Sequence, residues 1–174
     1  MRRLLVGLAL AAVAAPSFAA LSVGTAAPEF TTTGALAGKP FKLDLRDQLK
    51  HGPVVLYFFP KAFTQGCTAE AHAFSDASAQ FKKLGAQVIG MSRDDLPTLE
   101  QFSVRECRNN FPVATATPQI ADEYKVAWAE HPNLTTRTSY VIAPNGKIVM
   151  VHDDLDWSEH VAKTLAAVKA LKGK

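Results

Sequence analysis

Cys67 is the residue of this sequence whose position best suits a reactive nucleophile. It follows an apolar run, Val54–Phe59, that Pro60 ends, and a run rich in β-branched and aromatic residues predicts a strand buried on both faces. From Cys67 onward the apolar residues recur at helical spacing, which places the thiol in the first turn of a helix. Because the amide groups and the positive dipole end of a helix favour an anion, Cys67 is expected to form a thiolate more readily than an ordinary cysteine.

The predicted helix carries its apolar residues on one stripe, and the sulfur is expected to point with them into a shielded pocket. The stripe consists of Cys67, Ala71, Phe74, Ala77, Phe81 and Leu84. Thr64 lies three residues before the thiol, where its hydroxyl can face the same pocket. Two plainer interpretations stay open, since threonine is a common N-cap residue and a lone buried cysteine is commonly inert.

Pro60, Thr64 and Cys67 stand in the pattern P-x-x-x-T-x-x-C, which resembles the signature that peroxiredoxins place around their peroxide-reducing cysteine. The wider segment Tyr57–Glu70 resembles the bacterioferritin-comigratory (Q-type) branch of that family, and the likeness extends from about Val23 to the C-terminal helix. The resemblance implies an α/β fold, a thioredoxin-like sandwich whose central mixed sheet is flanked by helices and extended by an N-terminal β-hairpin.

The resemblance also implies a thiol-dependent peroxidase that reduces hydrogen peroxide and organic hydroperoxides through a sulfenic acid on Cys67. Cys107, the other cysteine of the chain, lies where some Q-type members carry a resolving cysteine, and it is expected to condense with the sulfenic acid to a disulfide. Two positions depart from the branch: Gln65 stands where proline is common, and His72 stands where a second cysteine is common.

Arg137 precedes a predicted strand, as the active-site arginine of the family does, and the resemblance places it beside the sulfur. Its planar, permanently charged guanidinium would hold the peroxide together with Thr64, and Pro60 is expected to pack over the sulfur and limit access of water. Glu70, one helical turn beyond Cys67, is expected either to pair with Arg137 and orient it or only to complement the helix dipole. Without the Cys67 motif, Arg137 would be interpreted as a solvent-facing residue at a strand edge.

The expected partners follow from the same resemblance. They are a peroxide substrate and a thioredoxin-like or other thiol reductant, with no cofactor and no metal, and the five histidines have no spacing typical of zinc sites. The chain is expected to be a monomer or a weak homodimer. The small net charge gives no indication of nucleic acid as a partner.

Residues 1–19 are typical of a secretory signal, with Arg2-Arg3, an apolar stretch and small residues at 17 and 19. The apolar stretch is short for a membrane span, so cleavage after Ala19 is expected rather than an uncleaved anchor. Removal takes away two arginines and no acidic residue, which lowers the formal charge from +3 to about +1. A bacterial periplasmic or secreted protein with one domain, residues 20–174, and no membrane partner is therefore expected.

The remaining chain predicts alternating strands and helices without repeats or low-complexity linkers. The predicted elements are a hairpin over 31–43, a helical turn over 44–50, strand 54–59, helix 65–84, strand 86–92, a helix capped by Asp94 or Asp95 and running toward Cys107, strand 111–114, helix 117–124, hairpin strands 139–143 and 147–151, and helix 157–171.

Two other functions remain open at this point. A secreted thiol-disulfide oxidoreductase of the thioredoxin type would need C-x-x-C, and Thr64 stands where its first cysteine would be. A non-enzymatic binding module stabilised by a structural Cys67–Cys107 disulfide is the other, because cysteines of exported proteins are commonly paired.

Overall fold

Seven strands form one mixed sheet in the computed structural model, which describes residues 20–173; the predicted signal over residues 1–19 lies outside them. The strands are β1 (Thr31–Leu36), β2 (Lys39–Asp44), β3 (Val54–Phe58), β4 (Gln87–Ser92), β5 (Val113–Thr115), β6 (Thr138–Ile142) and β7 (Ile148–Asp153). The helices are α1 (Leu45–Leu49), α2 (Gln65–Lys83), α3 (Leu96–Arg105), α4 (Pro118–Glu123) and α5 (His160–Lys172), the last preceded by a 3-10 turn at Trp157–Glu159.

The strand order is β2-β1-β5-β4-β3-β6-β7. β3 pairs in parallel with β4 and antiparallel with β6, while β1 and β2 form an antiparallel hairpin that joins the sheet through β5. The predicted thioredoxin-like sandwich with a mixed sheet and an N-terminal hairpin is therefore confirmed.

β3 lies in the middle of the sheet and is buried on both faces, as its apolar run predicts. Leu56 and Phe58 pack into a cluster with α1 and α4, whereas Val55 and Tyr57 face the opposite cluster, which holds side chains of α2, α3 and α5. Helices therefore cover both faces of the sheet. A short loop connects the C-terminal end of β3 to the N-terminus of α2. Within residues 20–173, no helix is both long and apolar enough to cross a bilayer.

The apolar stripe of α2 is buried as its spacing predicts, from Cys67 to Phe81, with Leu84 only partly covered. The helix stops at Gly85, whose φ of 76° reverses the chain at little steric cost. α2 therefore presents one face to β3 and holds Cys67 at its buried N-terminal end.

α3 begins at the N-cap Asp95, whose carboxylate accepts a hydrogen bond from the amide of Thr98 at 3.0 Å. After α3 the chain is irregular up to β5, and Cys107 lies in this stretch. Arg108 and Asn109 have φ values of 51° and 61°. For a residue such as arginine the left-handed region costs about 1–2 kcal/mol, so the stretch around Cys107 is strained.

Candidate active site

Cys67 lies in the first turn of α2 with 1% of its surface exposed. Thr64 occupies the N-cap position in extended geometry, but its side chain does not cap the helix. Its exposed hydroxyl instead donates to the carbonyl of Lys61 at 2.9 Å. Thr64 is therefore the N-cap by position but not through its side chain, and its oxygen keeps lone pairs that can accept a further hydrogen bond.

The loop between β3 and α2 is fixed by polar groups from outside it. The amide of Ala62 and the hydroxyl of Ser92 both donate to one carboxylate oxygen of Asp94, each at 2.8 Å. The buried hydroxyl of Thr135 donates to the carbonyl of Phe59 at 2.9 Å. Pro60 is half-buried at the start of this loop. The sequence offers both Asp94 and Asp95 as the N-cap of α3; Asp95 is the cap, whereas Asp94 anchors the loop before α2.

Phe63 is the strained residue of the same loop, with φ of 63°. A bulky residue rarely adopts this conformation unless its surroundings impose it. Its ring meets Phe102 edge-on at a centroid distance of 5.2 Å, and the guanidinium carbon of Arg105 lies 5.3 Å from the ring centroid. The loop before Cys67 is thereby packed against α3.

Arg137 brings its guanidinium to the sulfur and is itself held on three sides. Nη2 donates to Cys67 Sγ at 3.5 Å, Nη1 donates to Glu70 Oε2, and Nε donates to the carbonyl of Leu155 at 2.8 Å. The side chain is only 7% exposed. Since the fork is planar, these three partners fix its orientation as well as its position.

Glu70 is fully buried, and the structure places it against Arg137, the pairing that the sequence suggested. Burial raises the pKa of Glu70 to about 8, and the contact with Arg137 offsets only part of that rise. Burial alone would lower the pKa of Arg137, but Glu70 and Cys67 outweigh it and the net shift is upward. The guanidinium therefore stays charged beside the sulfur.

His160 extends this buried group beyond the residues that sequence reasoning found. Its Nε2 donates to the carbonyl of Asp154 at 2.9 Å, so Nδ1 of the neutral ring accepts from the hydroxyl of Ser139 at 2.7 Å. Nδ1 also lies 3.6 Å from Glu70 Oε1, an oxygen that has no hydrogen-bond partner. His160 is the first residue of α5 and is fully buried.

Gly66 leaves room for the guanidinium at the N-terminus of α2. A Cβ at this position would lie 3.3 Å from Arg137 Nη2 and 3.7 Å from Trp157 Cδ1. The sequence gave no indication that Gly66 has a part in the site. Neither Trp157 nor His160 had a sequence signal that connects it to Cys67, because both reach the site through the packing of the C-terminal segment.

Cys107 lies on the same face of the sheet as Cys67, in the cluster covered by α2, α3 and α5, and it is fully buried. Both cysteines are free, so the structure does not favour a structural disulfide. Burial and the carboxylate of Glu106 hold the pKa of the Cys107 thiol well above its usual range. Among residues 20–173, no cluster of histidine, cysteine and carboxylate side chains is arranged to hold a metal ion.

The buried imidazole of His160 predicts a pH dependence of stability. Burial lowers its pKa from 6.5 to about 4, so between these pH values the unfolded chain binds a proton that the folded chain does not. The stability contributed by neutral His160 is fully present above pH 6.5 and is lost as the pH falls toward 4. We expect His160→Gln to flatten this acid limb by as much as about 3 kcal/mol in urea unfolding.

The matched control for this measurement is His51→Gln, because His51 is exposed. As the pH is lowered from 6.5 toward 4, the free energy of unfolding of His51→Gln should decrease in parallel with that of the wild type. Parallel curves for the wild type and His160→Gln would contradict the assignment.

Comparison with known proteins places the chain in one family. Residues 23–151 match the AhpC/TSA family. Peroxiredoxin Q of the chloroplast of Sedum lineare is 31% identical over 156 residues, covering 89% of this chain and 82% of the relative. Peroxiredoxin Bcp of Escherichia coli (strain K12) is 31% identical over 146 residues, covering 80% of this chain and 90% of the relative.

Solved structures give the same result. Peroxidoxin BcpB from Mycobacterium tuberculosis superposes with a TM-score of 0.74 at 29% identity, covering 86% of this chain and 97% of the other. Peroxiredoxin Q from Xanthomonas campestris superposes with a TM-score of 0.70 at 26% identity, covering 80% and 90%. Since the family match spans more than half of the chain, this chain belongs to the AhpC/TSA family and is a peroxiredoxin.

Proposed function

We propose that Cys67 is the thiol with which this thiol-dependent peroxidase reduces its substrate. The observation that carries the proposal is the buried Arg137 guanidinium, which donates to the Cys67 sulfur at 3.5 Å while Glu70 and a backbone carbonyl hold it in place. A fixed positive charge beside a shielded sulfur stabilises the thiolate, the nucleophilic form of cysteine.

The reaction is a two-electron displacement. The thiolate of Cys67 attacks the terminal oxygen of ROOH, an S–O bond forms as the O–O bond breaks, and the products are Cys67–SOH and RO⁻, which takes up a proton to give ROH. The sulfur is oxidised and the peroxide is reduced. The developing charge on the departing oxygen is the feature that fixed hydrogen-bond donors can stabilise.

Arg137 and Thr64 have complementary parts in this step. Arg137 contributes N–H donors for the peroxide oxygens and for the negative charge that passes from the sulfur to the leaving group. Because the Thr64 hydroxyl proton is already directed to Lys61, its oxygen is suited to accept the proton of ROO–H. Pro60, half-buried at the loop start, limits access of water to the sulfur, and Glu70 orients Arg137.

Cys107 completes the cycle in this proposal. Its thiol condenses with Cys67–SOH to a disulfide, and water leaves. A thioredoxin-like dithiol donor then reduces the disulfide by thiol-disulfide exchange. Because Cys107 is buried in a strained stretch after α3, resolution requires local unwinding near both cysteines. The alternative of a thioredoxin-type oxidoreductase is not favoured, since no second cysteine stands at the C-x-x-C spacing from Cys67.

The peroxide step is tested by following the consumption of hydrogen peroxide and of an alkyl hydroperoxide by stopped flow. Cys67→Ser should abolish it, and Arg137→Ala should slow it by about 10²–10³-fold because a fixed electrostatic donor is lost. Arg46→Ala is the control, since Arg46 forms an exposed ion pair with Glu29 that contributes little. Retained activity in Cys67→Ser would refute the nucleophile, and a wild-type rate in folded Arg137→Ala would refute the role of the guanidinium.

The resolving role is tested with Cys107→Ser. This variant should consume one equivalent of peroxide at the wild-type rate and then fail to turn over with a thioredoxin donor, because no thiol of the chain is left to form the disulfide. Mass spectrometry after one equivalent should show a Cys67–Cys107 link in the wild type. Absence of that link would favour a cycle that uses one cysteine.

We also propose that residues 1–19 direct export and are removed after Ala19. Expression of the full chain in a bacterial host should yield a periplasmic or secreted protein whose intact mass begins at Ala20. Replacing Arg2 and Arg3 by glutamate should leave the unprocessed chain in the cytosol, since a positive segment precedes the apolar one in such signals. An unprocessed wild-type chain in the cytosol would refute export.

A further inference from the structure

Side chains on one face of α2 bond to the stretch that carries Cys107, which we call the Cys107 segment (residues 106–110). The bonding residues of α2 are spaced i, i+3 and i+4, so they lie next to one another on the helix. The three bonds join His72 Nε2 to Glu106 Oε2 at 2.8 Å, Asn110 Nδ2 to Ser75 Oγ at 2.7 Å, and Arg108 Nη1 to Asp76 Oδ1 at 2.7 Å.

These three bonds differ in burial and therefore in importance. Glu106 is 14% exposed and His72 is 36% exposed, and Ser75 is buried. By contrast, Arg108 and Asp76 are 46% and 70% exposed. Exposed ion pairs contribute little, whereas hydrogen bonds shielded from water contribute more and leave costly unpaired groups when they break. Of the three side-chain bonds, those of His72 and Ser75 therefore contribute most to holding the segment against α2.

The Cys107 segment is strained, and this strain favours its release. Arg108 is in the left-handed region with φ of 51°, which a long side chain such as arginine avoids unless its surroundings impose it. Cys107 itself is fully buried, and its amide donates to the carbonyl of Phe102 at 3.0 Å. Burial also keeps the pKa of its thiol high, so Cys107 reacts only after the segment has opened.

We propose that His72 and Ser75 are positioning residues that hold the Cys107 segment closed and thereby set how fast Cys107 reaches the oxidised Cys67. This inference rests on the proposed function. In the step concerned, the Cys107 thiol attacks the sulfur of Cys67–SOH, an S–S bond forms, the S–O bond breaks, and the hydroxyl leaves as water with the thiol proton. A second peroxide molecule competes for the same sulfenic acid and oxidises it to the sulfinic acid.

We call His72 and Ser75 with their partners Glu106 and Asn110 the clamp. The clamp connects the helix that carries Cys67 to the segment that carries Cys107. His72 lies five residues beyond Cys67 on the same helix. Unwinding of the first turns of α2 around the oxidised sulfur would displace His72 and weaken its bond to Glu106. Oxidation at one end of α2 would then loosen the segment that supplies the second thiol.

The test is a single-turnover experiment on the reduced protein with one equivalent of hydrogen peroxide. Samples are quenched with an alkylating reagent, and mass spectrometry gives the rates of loss of the first thiol and of disulfide formation. His72→Ala should leave the first rate unchanged and raise the second by roughly three- to tenfold, because one shielded hydrogen bond no longer opposes opening. In excess peroxide, His72→Ala should accumulate less sulfinic acid than the wild type.

The controls separate positioning from a general loss of structure. His72→Gln offers an amide donor at nearly the same reach and should restore the wild-type rate of disulfide formation, and Asp76→Asn should not change it. An unchanged or slower rate in His72→Ala, or failure of His72→Gln to restore the wild-type rate, would overturn the clamp. If the wild type forms no Cys67–Cys107 disulfide, the resolving role of Cys107 and the clamp both fail. If Cys67 is not oxidised at all, the proposed function itself fails.

Discussion

The contact between the Arg137 guanidinium and the Cys67 sulfur is the interaction on which the site depends. It joins the start of β6 to the start of α2, two elements that are distant in the chain and adjacent in the fold. A cysteine at a helix N-terminus gains from the helix dipole alone only modestly, because the dipole acts as a partial charge. A full positive charge in a shielded site acts more strongly, since the local dielectric is low.

A buried guanidinium is costly unless its charge is balanced and its donors are used. Glu70 accepts a hydrogen bond from Nη1, and the carbonyl of Leu155 accepts one from Nε. His160, which Ser139 holds by a hydrogen bond, lies beside Glu70 Oε1 without adding a charge, because burial keeps the imidazole neutral near pH 7. Residues from α2, from the start of β6 and from the segment before α5 therefore together hold the Arg137 guanidinium beside the Cys67 sulfur.

α2 connects the two cysteines. Its first turn carries Cys67, and its next turns bond to the irregular stretch that carries Cys107. The loop before α2 is also packed against α3 through Phe63. Strained backbone occurs on both sides, at Phe63 and at Arg108, where the surrounding contacts impose it. α2 is thus in contact with the surroundings of both cysteines.

The sequence by itself predicted the elements and indicated Cys67 as the candidate nucleophile. The apolar run of β3, the stripe of α2 and the Pro60, Thr64 and Cys67 spacing are local patterns, and local patterns follow directly from residue order. The mixed sheet was predicted through the family resemblance, and the N-terminal hairpin was predicted both from its residues and through that resemblance. The hairpin of β6 and β7 followed from the Pro-Asn-Gly turn between two apolar runs.

Only the tertiary structure decided which side chains surround Cys67 and Cys107. His160 and Leu155 reach Glu70 and Arg137 because the C-terminal segment folds back onto α2, and nothing in their local sequence indicates this. In the same way, Asp94 anchors the active-site loop while its neighbour Asp95 caps α3. His72 meets Glu106 only because α2 and the end of α3 cover the same face of the sheet. Periodicity specifies which face of an element is buried, but contacts between distant elements depend on how the faces pack together.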